Sequence, residues 1–187
     1  MKIINNYSPN FGAKYIDKSS IRKTLLHPVE TLSYVKIDPQ NDGDIKALEN
    51  VAKYWEYGKF VTNIYHAACA MKNDSKYYKY NQIFALTKQQ TNIENLDDSQ
   101  IMGLVHVSPL DGKSFFIEHI EADPKIIYSS KREYKGIGKR MLDFLKGFAD
   151  KILCFPSNTY AVKNFYSKNG FKEIEEHSNL FVWTKNK

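Results

Sequence analysis

Cysteine is scarce in this sequence, and nothing in its spacing gives the two cysteines a shared role. Cys69 and Cys154 lie far apart, and neither belongs to a CxxC pair. This spacing argues against a disulfide framework and against a zinc site, so no metal is predicted. Both residues lie in apolar surroundings, and we expect buried free thiols rather than nucleophiles.

Long apolar runs are also lacking. No stretch approaches the roughly 20 apolar residues that span a bilayer, and the N-terminal segment MKIINNYSPN has no apolar core of signal-peptide length. We therefore expect a soluble, cytoplasmic protein with no membrane partner. Hydrophobic residues make up 42% and charged residues 26% of the 187 residues, which is ordinary for one folded domain with a substantial core.

The charge balance is positive, with a formal net charge of +6 and a pI of about 9.1. Such a charge fits an anionic partner, such as nucleic acid, a membrane surface or a phosphorylated cofactor. It equally fits a compositional bias, because Lys, Asn, Ile and Tyr are abundant together. No helix-turn-helix spacing and no RRM-type aromatic pattern is visible, so we do not expect nucleic-acid binding.

The periodicity of apolar residues predicts an α/β (α+β) domain with a mixed, mostly antiparallel central sheet flanked by helices. Strands are predicted at 31–37, 77–87, 100–108, 114–122, 152–156, 171–176 and 180–185. Helices are predicted from 45 to 71 with a break at Gly58, at 137–151 and at 157–168. Asp44 is expected to cap the first helix, and Gly170 to end the last one in a left-handed conformation. Residues 1–30 are expected to form an extra strand or an extension packed on the domain of residues 31–187.

The segment 135–140, Lys-Gly-Ile-Gly-Lys-Arg, opens a helix after a strand and a loop. Gly136 and Gly138 lack side chains, so an anion can approach the backbone closely. The free N–H groups of the first turn and the helix dipole favour that anion. This arrangement suits a pyrophosphate, although a tight entry into a helix would need the same glycines. It is neither a Walker motif nor a full dinucleotide fingerprint, since no GK[ST] follows and a third glycine is missing.

A second segment, 157–171, contains Phe165-Tyr166, Lys168 and Gly170-Phe171. Taken in order with 135–140, it resembles the GCN5-related N-acetyltransferase (GNAT) superfamily. The family's first motif runs glutamine or arginine, two residues, glycine, one residue, then glycine or alanine. Its second motif ends in phenylalanine-tyrosine, lysine, any residue, glycine-phenylalanine. Glu133 stands at the place of the glutamine or arginine, so we expect either that its carboxylate points away from the cofactor or that Arg132 substitutes for it. In element order the resemblance covers about residues 31–185.

The resemblance implies an acetyltransferase that uses acetyl-CoA as co-substrate and transfers the acetyl group directly to a primary amine. It also implies strands that splay apart where the cofactor binds. The implied cofactor contacts lie on a strand edge, on the glycine loop and before the last helix: Ile120, Glu121, Ala122, Arg132, Lys135, Gly136, Ile137, Gly138, Lys139, Arg140 and Asn158. The acceptor, a small-molecule or peptide amine, is expected between residues 47 and 79. Its identity and the formation of a homodimer stay open.

Glu118 is the expected general base, acting directly or through a water. It shares strand parity with Ile120 and Ala122, which predicts that it points towards the cofactor. The alternative is a charged residue on a solvated face. Glu121 and His119 are alternate bases on the other face, unless a bulge changes the register.

Tyr166 matches the family's general acid, which protonates the departing thiolate. The alternative is a core aromatic like Phe165. A catalytically silent CoA-binding module, acting as a sensor or partner protein, also stays open. Glu133 departs from the family pattern, and residues 1–30 lie outside the resemblance.

Overall fold

The computed structural model of the protein describes residues 14–21, 29–55, 58, 60–90, 95–128, 134–157, 159–175 and 178–185. The strands are β1 (Lys14–Ile21), β2 (Glu30–Lys36), β3 (Gln82–Thr87), β4 (Ile101–Pro109), β5 (Ser114–Ala122), β6 (Lys151–Cys154), β7 (Lys172–Glu173) and β8 (Phe181–Thr184). The helices are α1 (Asp42–Tyr54), α2 (Val61–Asn73), α3 (Ser75–Lys79), α4 (Pro124–Tyr128), α5 (Ile137–Phe148) and α6 (Tyr160–Lys168). A 3-10 turn spans Asp98–Gln100.

The eight described strands form one sheet in the order β1-β2-β3-β4-β5-β6-β8-β7. Neighbouring strands are antiparallel except β5 and β6, which are parallel. A parallel pair needs a long crossover, and the chain supplies it through α4 and α5. The predicted mixed, mostly antiparallel α/β fold is confirmed.

Helices cover both faces of the sheet and give it two apolar cores. Alternation along β4 places Leu104 in the core beneath α1 and α2, and Val105 in the core beneath α5 and α6. Gly103 lets α5 approach the sheet closely, because a Cβ there would lie 2.9 Å from Ile137 Cγ2 and 2.5 Å from Met141 Sδ. The position of α5 therefore depends on this glycine.

Local capping corrects two sequence predictions. Asn41, not Asp44, caps α1, since the Asn41 side chain accepts a hydrogen bond from the Asp44 N–H at 3.0 Å. Asp44 is buried and accepts from the Asp38 N–H at 2.9 Å instead. The segment predicted as one strand over 77–87 begins as helix α3, because Asp74 caps it by accepting from the N–H groups of Lys76 and Tyr77. Only Gln82–Thr87 is a strand.

The N-terminal part contributes an edge strand. β1 pairs antiparallel with β2 along its length, with one irregularity between Tyr15 and Asp17. The predicted basic loop at 125–135 begins as helix α4, and residues 129–133 lie outside the described residues. Within the described ranges, no helix combines the length and apolar character of a membrane span. Cys69 and Cys154 are both free, and Cys154 is buried while Cys69 is half-buried.

Candidate active site

The loop that contains Gly136 leads directly into the first turn of α5. Gly136 is the N-cap, at φ 77° and ψ 21°, a left-handed conformation that favours glycine. A Cβ at Gly136 would meet nothing within 4 Å. The first amide donating inside the helix is that of Arg140, to the Gly136 carbonyl at 3.0 Å. The N–H groups of residues 137–139 therefore have no acceptor within the helix, as at any helix start.

Gly138 lies where the two sequence motifs contact each other. A Cβ at Gly138 would lie 3.1 Å from Phe165 Cζ, which is closer than ordinary contact. Phe165 belongs to α6, so the absence of a side chain at Gly138 lets α6 pack against the first turn of α5. The two glycines therefore have different roles. Gly136 adopts the left-handed conformation at the N-cap of α5, and Gly138 leaves room for Phe165 of α6.

The basic residues around the loop do not all face it. Lys135 is exposed, and Lys139 is exposed with its Nζ 2.5 Å from Asp143 Oδ2. Arg140 is turned towards β1, where its Nη1 donates to Ser19 Oγ at 3.1 Å. The expected phosphate contact of Arg140 is therefore withdrawn. The predicted contacts of Arg132 and Asn158 lie outside the described residues.

The sheet opens into a fork next to this loop. β5 and β6 pair from Ser114 with Lys151 to Ile117 with Cys154, where β6 ends. From Glu118 to Ala122, β5 continues beyond the end of β6 and pairs with β4 among the described strands. The splayed strands implied by the resemblance are present, and the predicted edge of Ile120, Glu121 and Ala122 lies beyond the fork.

A β-bulge at Glu118 overturns the parity argument. His119 pairs with His106 and Ile117 pairs with Val107, so Glu118 is an extra residue in β5. Glu118 and His119 consequently both line a cleft on the α2 and α3 side of the sheet. Ile120 and Ala122 belong to the opposite face, where they pack in the core beneath α5. The expectation that Glu118 shares a face with Ile120 and Ala122 is wrong.

The cleft at Glu118 has a volume of about 690 Å³ and is mostly lined by polar side chains. α2, the α3 region and β4 contribute Asn63, His66, Asp74, Tyr77, Tyr80 and Ser108. The expected acceptor region between residues 47 and 79 thus supplies one wall. Trp55, which also lies in this region, is buried in the core.

A chain of hydrogen bonds runs from Glu118 into the protein. Ser108 Oγ donates to Glu118 Oε1 at 2.7 Å and lies 3.2 Å from Asn81 Oδ1. Asn81 Oδ1 is in turn 2.8 Å from His106 Nε2. Sequence reasoning did not find Asn81, Ser108 or His106. Alternation along the predicted strand at 100–108 would have placed Ser108 and His106 on one face.

The alternate bases differ in what they contact. Glu121 Oε2 accepts from the N–H groups of Phe60 and Val61 at 2.8 and 2.7 Å, so this carboxylate caps α2. The His119 ring stacks on Phe60, with centroids 5.5 Å apart. Burial lowers the pKa of His119, and Glu118 opposes that shift. Burial, followed by the nearby His119, lowers the pKa of His106 to about 4. Both rings are thus neutral at pH 7.

Tyr166 is buried, with 4% of its surface exposed, and its ring contacts Phe165, Phe171 and Phe181. Its hydroxyl is hydrogen-bonded with Cys154, the last residue of β6 to pair with β5. Burial is the largest cause of the raised pKa of Tyr166, and the hydroxyl therefore keeps its proton. Burial likewise raises the pKa of the Cys154 thiol to about 12. The Tyr166 ring therefore packs in the core, and its hydroxyl lies at Cys154 beside the fork.

No protein-family model and no curated protein matches this sequence. Solved structures match it by fold. A protein from Desulfovibrio desulfuricans assigned to the GNAT family of acetyltransferases superposes with a TM-score of 0.54 at 9% identity, over 82% of this chain and 98% of the other. A GNAT-family acetyltransferase from Staphylococcus aureus Mu50 gives 0.50 at 17% identity, over 82% and 98%.

The N-acetyltransferase PseH of Campylobacter jejuni, in complex with acetyl coenzyme A, gives a TM-score of 0.50 at 14% identity, over 82% of this chain and 99% of the other. The chain has the GNAT fold. Each of these three matches extends over nearly the whole length of the neighbour.

Proposed function

We propose that this protein is an N-acetyltransferase that transfers the acetyl group of acetyl-CoA to a primary amine. The observation that carries the proposal is the fork between β5 and β6. The open amides of α5 follow the far end of β5, and the polar cleft reaches β5 at Glu118, where the fork begins. The acetyl coenzyme A complex of the GNAT-fold protein PseH supports the choice of co-substrate.

The residues at the fork fit the groups of coenzyme A. The amides of residues 137–139, which have no acceptor within α5, and the exposed Lys135 and Lys139 suit the diphosphate. The part of β5 beyond the fork, which includes Ile120, Glu121 and Ala122, suits the amides of the pantetheine arm, which would pair with it like an added strand. Acetyl-CoA, when bound, supplies an activated acetyl carbonyl that an amine can attack, with a thiolate as leaving group.

Glu118 is the proposed general base. It lines the acceptor cleft at the fork, and its carboxylate already holds a hydrogen bond from Ser108 at 2.7 Å. It takes the proton that the amine must lose, either directly or through a water. Glu121 is not proposed as the base, because its carboxylate caps α2.

Tyr166 is the proposed general acid. Burial keeps its hydroxyl protonated, and the hydrogen bond with Cys154 holds that hydroxyl beside the fork. The hydroxyl donates its proton to the departing sulfur, while Glu118 holds the proton from the amine. Both groups return to their starting states by exchange with solvent.

The acceptor is proposed to be a small amine. A cleft of about 690 Å³ falls within the range of small-molecule sites. Its walls offer carboxylates from Glu118 and Asp74 and the rings of tyrosines and histidines. An ammonium group entering this cleft would therefore meet acceptors rather than a second cation, apart from Lys76 at the rim.

A thiol-release assay over a panel of amines, with calorimetric titration of acetyl-CoA, tests the proposal. Glu118→Gln is expected to lower kcat/KM about 10²- to 10⁴-fold, the usual contribution of a general base, with acetyl-CoA affinity unchanged. Glu175→Gln, which alters an exposed carboxylate outside the cleft, is the matched control. Binding of acetyl-CoA without turnover on any amine would favour the silent module. Absence of binding would refute the proposal.

A further inference from the structure

We infer that Ser108 and Asn81 are positioning residues that keep Glu118 hydrogen-bonded both before and after it takes up a proton. This inference rests on the proposed function, because it assigns these two residues to the same base. It concerns the wall of the cleft rather than the fork, and none of the motifs that carry the resemblance includes Ser108 or Asn81.

The Ser108 hydroxyl lies between two acceptors. Its Oγ is 2.7 Å from Glu118 Oε1 and 3.2 Å from Asn81 Oδ1. A hydroxyl has one proton to donate and two lone pairs to accept with, so Ser108 can donate to only one of them at a time. Which acceptor takes the hydrogen bond from Ser108 depends on whether Glu118 is ionised or protonated.

Asn81 is held so that its oxygen faces Ser108. Its Nδ2 donates to the Tyr77 carbonyl at 2.9 Å, which leaves Oδ1 as the atom that faces Ser108 and His106. Only 6% of Asn81 is exposed, so the amide cannot turn to solvent. Because an amide oxygen only accepts, His106 carries its hydrogen on Nε2. Among the described residues, buried His106 Nδ1 has no hydrogen-bond partner, which fits a neutral ring.

The two states of Glu118 then have different but complete hydrogen bonding. The ionised carboxylate accepts the hydrogen bond from the Ser108 hydroxyl, because a charged acceptor gives the stronger hydrogen bond. Once Glu118 holds the proton from the amine, its own O–H donates to Ser108 Oγ. The Ser108 hydroxyl rotates and donates to Asn81 Oδ1. Ser108 keeps its own proton throughout, so the exchange only redirects hydrogen bonds and leaves each of Glu118, Ser108 and Asn81 hydrogen-bonded.

Several other titratable groups face this part of the cleft. They are His106 and His119 on the strands, His66 on α2, and Asp74, Lys76, Tyr77 and Tyr80 at and beside α3. Asp74 is occupied as the cap of α3. His106 is the group in direct contact with Asn81, so a test must separate its titration from that of Glu118.

Side-chain amide signals of Asn81, followed by ¹⁵N NMR from pH 8 to pH 4, provide that test without requiring turnover. In the wild type we expect these signals to move with pH by more than they do in Glu118→Gln, because the Ser108 hydroxyl turns onto Asn81 when Glu118 is protonated. This additional pH-dependent movement of the Asn81 signals should vanish in Ser108→Ala. Ser108→Ala retains Glu118, His119 and His106, so the difference between wild type and Ser108→Ala separates the network from the titration of His106.

Ser99→Ala is the matched control. Ser99 Oγ donates to Asp97 Oδ1 at 2.7 Å on the surface, the same kind of bond outside the cleft. We expect it to leave the Asn81 signals and the kinetics unchanged. Ser108→Ala should lower kcat about tenfold with little change in KM, the loss of one hydrogen bond to a charged group. Ser108→Thr, which keeps the hydroxyl, should restore most of the activity.

Two results overturn the inference. One is an Asn81 response that is the same in wild type, Glu118→Gln and Ser108→Ala. The other is wild-type kcat in a folded Ser108→Ala. If Ser108→Ala does not fold, an Asn81 response that is the same in wild type and in Glu118→Gln still overturns the inference. An active enzyme with an unresponsive Asn81 removes only this inference. A responsive Asn81 in a protein that acetylates no amine supports the paired hydrogen bonds and refutes the proposed function.

Discussion

Gly103→Ala tests how closely α5 must approach the sheet. A Cβ at Gly103 would lie 2.5 Å from Met141 Sδ and 2.9 Å from Ile137 Cγ2. Ordinary carbon contacts lie at about 3.5 to 4.0 Å, so the new methyl group intrudes on Ile137 by roughly 0.6 Å or more. The Met141 side chain is flexible and can yield, but Ile137 is branched next to the backbone. The methyl group must therefore push the start of α5 away from β4.

The expected cost follows from two opposing effects. Overpacking of a core costs about 1 to 3 kcal/mol. Replacing glycine in a strand returns roughly 0.5 to 1 kcal/mol through the lower entropy of the unfolded chain. The midpoints of these ranges, about 2 and about 0.75 kcal/mol, leave a net loss of roughly 1.3 kcal/mol, which corresponds to a fall in Tm of roughly 2 to 5 °C for a chain of this size.

Thermal unfolding followed by circular dichroism measures this difference, with Gly147→Ala as the control. Gly147 lies on the exposed side of α5, where a Cβ would meet nothing within 4 Å. The same substitution there should raise stability by about 0.5 to 1 kcal/mol, because alanine is the better helix former. The two variants should thus change Tm in opposite directions. A Gly103→Ala protein at least as stable as wild type would refute the close approach of α5.

Two further outcomes are expected. Tyr166→Phe should lower kcat roughly ten- to a thousand-fold in steady-state assays, because the ring stays in the core while the proton donor is lost. Unchanged activity would remove Tyr166 from the mechanism. His106→Gln should flatten the pH dependence of stability. The pKa of His106 falls from 6.5 to about 4 on folding, so the unfolded chain binds more protons between these values and wild type loses stability as pH falls through this window. The loss is about 2 kcal/mol between pH 7 and pH 5 by urea unfolding, and an equal loss in the variant would show that another group is responsible.

The helices, the strands and the glycine conformations could be predicted from the sequence because they depend on residues close together in the chain. The predicted strand at 114–122 coincides with β5, and the predicted break at Gly58 separates α1 from α2. Gly170 has a positive φ, as expected from its place at the end of the last helix. The tyrosine-rich segment was the exception, because the cap at Asp74 outweighed the strand preference of the residues that follow.

Side-chain surroundings were decided by the tertiary structure. Strand parity holds only while the ladder is regular, and the bulge in β5 moved Glu118 to the face of His119. Glu121 caps a helix 61 positions earlier in the chain, and Arg140 contacts a serine 121 positions earlier. Ser108 meets Asn81 and Glu118 only because β3, β4 and β5 are neighbours in the sheet. Local periodicity determines which face of an element is apolar, but which distant group a polar side chain meets depends on how the elements pack.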